Sequence, residues 1–164
     1  MTLSQSLRSP SLWTAIALAL LVGFIGAEVT ALGDWYAQLR KPAFQPPDWL
    51  FGPVWTLIFL LTAASAHRLW EASVSEKSAR IRIVILFLFN AGMNVLWSAL
   101  FFALQRPDIA LFQAFVLLVS VLLIMKTAAA DDAIARWMLA PYAAWVVFAI
   151  TLNAAIVRLN APFT

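Results

Sequence analysis

The chain reads as an all-α membrane protein: a bundle of five transmembrane helices, with an ordered Pro- and Trp-rich loop between helices 1 and 2. Three observations predict this. First, the 164 residues are 63% hydrophobic and only 12% charged, with a mean hydropathy of +0.88. Soluble domains carry about a quarter charged residues, and a soluble bundle of this size could not hide so much apolar surface. Second, five apolar runs each approach the length needed to cross a hydrocarbon core. Third, the stretch WYAQLRKPAFQPPDWLFGPVW, Trp35 to Trp55, interleaves prolines with large aromatic rings. It is too aromatic for a disordered linker and too long for an ordinary connection. An ordered lid over a cavity is expected.

The first span covers residues 12–32 and breaks at Gly33-Asp34. Its apolar run exceeds the 7–15 residues of a signal-peptide core, which favours a retained helix over a cleaved leader despite Arg8. Pro42, Pro46 and Pro47 keep the lid out of regular helix. The second span covers 50–68, with Pro53 tolerated in its first turn. Residues 71–80, EASVSEKSAR, form the most polar loop. The third span covers 81–104. Gln105 to Asp108 make a tight turn, so the fourth span, 109–126, lies antiparallel beside it. Asp131 and Asp132 read as solvated residues of the next loop, and the fifth span covers 135–158. Residues 1–164 therefore read as one transmembrane domain.

Seven basic residues, Arg8, Arg68, Lys77, Arg80, Arg82, Lys126 and Arg136, fall on the side of the N-terminus, and four, Arg40, Lys41, Arg106 and Arg158, on the other. The bias places the N-terminus in the cytoplasm and the lid outside. A bacterial inner membrane is the default for apolar helical spans, with an outer membrane as the alternative. The net charge of +3 is spread over span ends, which excludes a nucleic-acid partner. There is no cysteine and one histidine, His67, so thiolate chemistry and two-histidine metal sets are absent. No catalytic residue is expected from hydrolytic or metal chemistry, and no cofactor is required.

Asn90, Asn94, Trp97 and Phe101 recur at i, i+4, i+7 and i+11, which puts two amides and two rings on one face of the third span. In lipid those amides would stay unpaired, so the face turns inward, either as interhelical glue or as cavity lining. Pro141, Trp145, Phe148 and Leu152 lie along one side of the fifth span, with small Ala149 and Asn153 alongside. The second span adds Trp55 and Phe59, and the lid adds Tyr36 and Trp49. Trp13, Trp70 and Trp137 sit at span ends, as belt residues do. Trp97 and Trp145 do not, and with Trp55 they could line one cavity, with Trp145 as its floor. Glu28 is the one acid inside an apolar run. It lies roughly 7 Å from the helix break, near enough to snorkel to the interface.

Together, WYxxLxKPxxxPPxW and FGPVW over Trp35–Trp55, NxxWxxxFF over Asn94–Phe102, PYxxW over Pro141–Trp145 and FAxxLN over Phe148–Asn153 resemble the signature of the TspO/MBR family, the tryptophan-rich sensory proteins and mitochondrial translocator proteins. The resemblance covers all five spans. It implies a five-helix bundle, commonly a homodimer, that binds porphyrins such as protoporphyrin IX, benzodiazepine-type drugs or, in animals, sterols. It implies pocket residues Tyr36, Trp55, Asn94, Trp97, Trp145, Ala149 and Leu152. If porphyrin is degraded in light, as proposed for some members, Trp55 and Trp145 are the positions implicated. Residues 150–164 contain no Tyr, so the animal cholesterol motif is missing.

The leading expectation is a membrane protein that senses or transports flat apolar ligands, porphyrins foremost, with membrane lipid as its surroundings. Tryptophan-dependent porphyrin degradation and small-molecule translocation are the alternatives. Two small-xxx-small pairs, Gly23/Ala27 and Ala99/Ala103, are candidate dimer contacts.

Overall fold

A computed structural model describes residues 9–30, 32–73 and 75–163, with the side chains of 129–131 left aside. Arg8 and the side chain of Asp131 lie outside the described residues. The elements are α1 (Pro10–Val29), α2 (Asp34–Gln38), a 3-10 turn (Asp48–Leu50), α3 (Phe51–Ala72), α4 (Lys77–Ser98) continued by a π turn (Ala99–Ala103), α5 (Pro107–Asp131), α6 (Ala133–Met138) and α7 (Ala140–Asn160). Among the described residues, five helical stretches, with α6 and α7 counted together, are long and apolar enough to cross a membrane.

The helices outrun the apolar spans at the loops. α3 continues to Ala72 and α4 begins at Lys77, so the polar stretch 71–80 is mostly helix around a short turn. Polarity marks where the chain leaves hydrocarbon, whereas helix ends where capping or proline stops it. The fifth span is divided. Asp132 caps α6, its side chain accepting from the N–H groups of Ile134 and Ala135, and the helix breaks at Leu139. Pro141 explains the break: it has no N–H, and its ring crowds the preceding turn, so a new helix starts around it. Asp132 is thus a built part of the bundle, paired with Arg68 at 2.7 Å, and the expectation of a merely solvated residue is corrected.

α1 packs on α3 and α4, α4 on α5, and α5 on α7. The core runs down the bundle in three clusters. One, at the second-loop end, holds Leu69, Ile83, Ile124, Ala128, Ala135 and Leu139. The middle one holds Ile58, Leu117, Val121, Tyr142 and Val146. The lid-end cluster holds Tyr36, Phe101, Ala110, Leu152 and Ile156. Within α5 the inward stripe is Ala110, Gln113, Ala114, Leu117, Ser120, Val121, Ile124 and Ala128, while Phe112, Phe115 and Val119 are exposed. Both faces are apolar; the small and hydrogen-bonding residues mark the inside, because lipid tails compete equally for the large ones.

Of the two small-xxx-small pairs, one residue faces a neighbouring helix of the same chain. A Cβ on Gly23 would come within 3.0 Å of the Phe59 ring, so this glycine lets α1 approach α3 within one chain. Ala99 and Ala103 fall in the π turn, which breaks their α-helical alignment. Trp13 and Trp137 are exposed, as belt residues would be. Trp70 is half-buried beneath the Arg80 guanidinium, 4.4 Å from its ring centroid. Glu28 is exposed on the outer surface of α1.

Candidate functional site

The lid closes one end of the bundle over a cavity. Tyr36, carried on α2, is the buried side chain of that lid. Its hydroxyl donates to Asp48 Oδ1 at 3.0 Å. Gln45 Nε2 donates to both, to Tyr36 Oη at 3.2 Å and to Asp48 Oδ1 at 3.2 Å. Lys41 Nζ lies 3.9 Å from the centre of the Tyr36 ring and 3.5 Å from Asp48 Oδ2. Burial, reinforced by the hydrogen bond and negative charge of Asp48, pushes the Tyr36 hydroxyl up to about 12, so it stays a neutral donor. A second tether joins the lid to the end of α7. Arg40 N–H donates to Asn160 Oδ1 at 2.8 Å, and Asn160 Nδ2 donates to Arg40 O at 2.9 Å. The backbone of Arg40, rather than its charge, makes this link.

Beneath the lid, Trp55 and Phe51 come from α3, Asn94 and Trp97 from α4, Phe101 and Phe102 from the π turn, and Trp145, Ala149 and Leu152 from α7. The π turn has a local purpose. An extra residue per turn brings consecutive Phe101 and Phe102 to the same wall, their centroids 4.7 Å apart, with Trp97 5.2 Å from Phe101. Such turns recur at functional sites. Phe51 packs edge-on to Trp145 at 5.6 Å. Trp55 stacks on Phe59 at 5.4 Å and meets Tyr142 edge-on at 6.0 Å.

Eight of the ten residues expected from sequence line this cavity: Tyr36, Trp55, Asn94, Trp97, Phe101, Trp145, Ala149 and Leu152. Two do not. Trp49 is 71% exposed on the outer side of the lid, because the 3-10 turn Asp48–Leu50 sends Asp48 inward and its neighbour out. Phe148 lies behind the wall, against Trp145 at 5.3 Å and Phe44 of the lid at 6.4 Å. Sequence reasoning missed Gln45, Asp48, Phe51 and Phe102. Phe51 had a signal, lying four residues before Trp55 on one helix face. Phe102 had only its place in the NxxWxxxFF motif, since an ideal helix would turn it away from Phe101.

The two amides of α4 separate in role. Asn90 donates to Ser120 Oγ at 2.8 Å and accepts from Tyr142 Oη at 3.2 Å, so it ties three helices together. Asn94 donates to Tyr142 Oη at 3.1 Å and also faces the cavity. Asn153 is buried glue; with its amide oriented for bonding, it donates to Pro107 O at 3.0 Å and accepts from Leu111 N–H at 3.1 Å. Inside the aromatic wall two polar atoms stay buried and unpartnered, the indole Nε1 of Trp97 and Oε1 of Gln45. Buried polar groups are ordinarily paired, so these two, one a donor and one an acceptor, stand out as unsatisfied behind the cavity lining. The cavity measures about 160 Å³, below the roughly 300–1,000 Å³ of sites for drug-sized ligands.

Residues 15–159 match the model of the TspO/MBR family. The tryptophan-rich protein TspO of Archaeoglobus fulgidus is 39% identical over 149 residues, 90% of this chain and 95% of that protein. The protein of the same description from Chlorobaculum tepidum is 36% identical, covering 88% of this chain and 92% of that one. The human translocator protein is 29% identical over 133 residues, 77% of this chain and 75% of that protein.

Proposed function

Since the chain belongs to the TspO/MBR family and is a multi-pass integral membrane protein, we propose that it binds flat, hydrophobic, ring-shaped molecules, porphyrins such as protoporphyrin IX foremost, beneath the lid, for sensing or transport. The observation that carries this reading is the wall itself. Trp55, Trp97, Trp145, Phe51, Phe101 and Phe102 surround one space, and indole and phenyl faces stack on a conjugated ring while excluding water. The unpartnered Trp97 Nε1–H and Gln45 Oε1 supply the polar handles. Lys41 is engaged with Asp48 and Tyr36 while the lid is down, and lifting the lid frees it to meet a propionate. The basic residues favour the lid outward, and apolar helical spans make a bacterial inner membrane the default location.

The test is quenching of intrinsic tryptophan fluorescence by protoporphyrin IX in detergent or nanodiscs. Saturable quenching that weakens at least tenfold in the Trp55→Phe/Trp145→Phe double variant is expected. Equal quenching in wild type and double variant removes the lid cavity as the site. Running the titration in darkness and in light, with absorbance of the porphyrin followed, separates binding from Trp-dependent degradation, in which the pigment bleaches only under light and only with both tryptophans present.

A further inference from the structure

A second, larger cavity of about 630 Å³ opens on the side of the bundle between α1, α3 and α4. It runs along α1 from Pro10 to Ile25, along α3 from Phe59 to Trp70, and along α4 from Ile83 to Asn94. At about 1.5 Å per residue those stretches measure roughly 17–22 Å. Half of a hydrocarbon core is about 15 Å. The groove therefore begins at the membrane surface on the second-loop side and ends near mid-bilayer, which is the reach of one leaflet. Its rim is apolar: Leu18 of α1 and Val84 and Leu88 of α4 are exposed beside it.

The surface end differs in chemistry from the rest. Ser11 and His67 line it, with Ser11 Oγ 2.8 Å from His67 Nδ1 and donating to Glu71 Oε1 at 2.7 Å. Trp70 stands at this end, covered by the Arg80 guanidinium. Arg80 Nε is buried without a hydrogen-bond partner. Among the described residues no carboxylate pairs with Lys77, Arg80 or Arg82, three cations in the first turns of α4. Glu71 and Glu76 are taken up by serines, Glu71 by Ser11 and Glu76 by Ser78.

We infer that this groove is a binding site for one acyl chain of an anionic phospholipid from the leaflet on the second-loop side, with the phosphate-bearing headgroup at Arg80 and at Lys77, one turn before it on the same helix face. Groove length selects a chain of one leaflet, the apolar walls select hydrocarbon, and the unpaired cations select negative charge. A hydrogen-bonded barrier separates the groove from the lid cavity: Asn94 lines both, and Tyr142, bonded to Asn94 and Asn90, lies on the groove side with Trp55 on the other. The lipid site thus stands whether or not a porphyrin binds beneath the lid.

Native mass spectrometry of the delipidated full chain in detergent, titrated with phosphatidylglycerol or phosphatidylcholine of identical acyl chains, tests it. The expected result is stoichiometric retention with phosphatidylglycerol favoured. Arg80→Gln should cut that preference about fivefold, the weight of one interfacial cation, while retaining chain binding. Ala91→Phe and Ala19→Phe, which put a ring into the groove, should each abolish retention of both lipids with helicity by circular dichroism and monodisperse elution kept. Equal retention of the two headgroups by wild type overturns the headgroup assignment. Undiminished retention in both filling variants overturns the site, as does a groove that proves to be covered by a second copy, read as a dimer that these same variants convert to monomer without changing lipid binding.

Discussion

Replacing Tyr36 with phenylalanine should make ligand entry faster. The ring stays, so the apolar seal over the cavity is kept; only the hydroxyl leaves, and with it the 3.0 Å bond to Asp48. Asp48 retains Gln45 Nε2 at 3.2 Å and Lys41 at 3.5 Å, so no buried charge is stranded. Hydrogen bonds to charged groups contribute about 1.5–3 kcal/mol. Asp48 is about half exposed, so the lower end applies, about 1.5 kcal/mol or a factor of about ten in the closed-to-open ratio. A cavity of about 160 Å³ cannot admit a macrocycle while closed, so a tenfold rise in the open population should raise the association rate about tenfold, and the apparent affinity with it.

Stopped-flow tryptophan quenching with protoporphyrin IX measures both rates. The wild type adds a pH signature. Its hydroxyl is pushed up to about 12 by burial and by Asp48, while an open, solvated lid would titrate near the ordinary 10. The latch is therefore intact below pH 10 and weakens as pH rises from 10 toward 12. Wild-type association should be flat below 10 and rise above it, and Tyr36→Phe should lack that rise. An association rate in Tyr36→Phe at or below wild type, with dissociation speeded instead, would make the hydroxyl a ligand contact and refute its role as a latch.

Other perturbations read the bundle. Asp132→Ala removes the cap of α6 and the partner of Arg68, and should cost about 1–2 kcal/mol at neutral pH in thermal unfolding. Burial disfavours the Asp132 carboxylate, but the N–H groups of Ala135 and Ile134 and the Arg68 guanidinium outweigh it and hold the carboxyl below its usual range. Its contribution is present above the unfolded value near 3.9 and lost as pH falls through the folded one, so wild type and variant should converge below pH 4. Gly23→Val drives a methyl-bearing carbon to 3.0 Å from Phe59; an overpacking cost of about 1–3 kcal/mol is expected, and because Phe59 stacks on Trp55, the emission of the tryptophans should shift as well. Asn90→Ala strips Ser120 and Tyr142 of a partner and should lower the unfolding free energy in detergent by about 0.6–2 kcal/mol; no measurable loss would mean that the network is dispensable.

The recurring amides and rings of α4 announced an inward face, and Asn90, Asn94 and Phe101 are indeed buried, because hydrocarbon solvent leaves an amide only one way to be satisfied. The same logic failed for rings alone. Trp49 and Phe51, two residues apart, were equally eligible for the cavity by composition, and a short 3-10 turn put one outside and the other in. Phe102, part of the NxxWxxxFF motif but off the helical period of Trp97 and Phe101, reached the cavity through a π turn that no periodicity announces.

What the sequence determined by itself was the number of spans, their antiparallel succession, and the existence of a stiff aromatic lid. These follow from run length, proline and charge, which act locally and against a solvent of known thickness. Tertiary structure decided which face of each span looks inward, where the fifth span breaks, and that a groove beside α1 is divided from the lid cavity at Asn94 and Tyr142. The physical reason is the solvent. In water, burial sorts apolar from polar along a helix and leaves a readable stripe. In lipid, a leucine gains as much outside as inside, so only packing among small residues, hydrogen bonds between helices and the shapes of neighbouring rings settle the arrangement, and those are properties of contacts between distant parts of the chain.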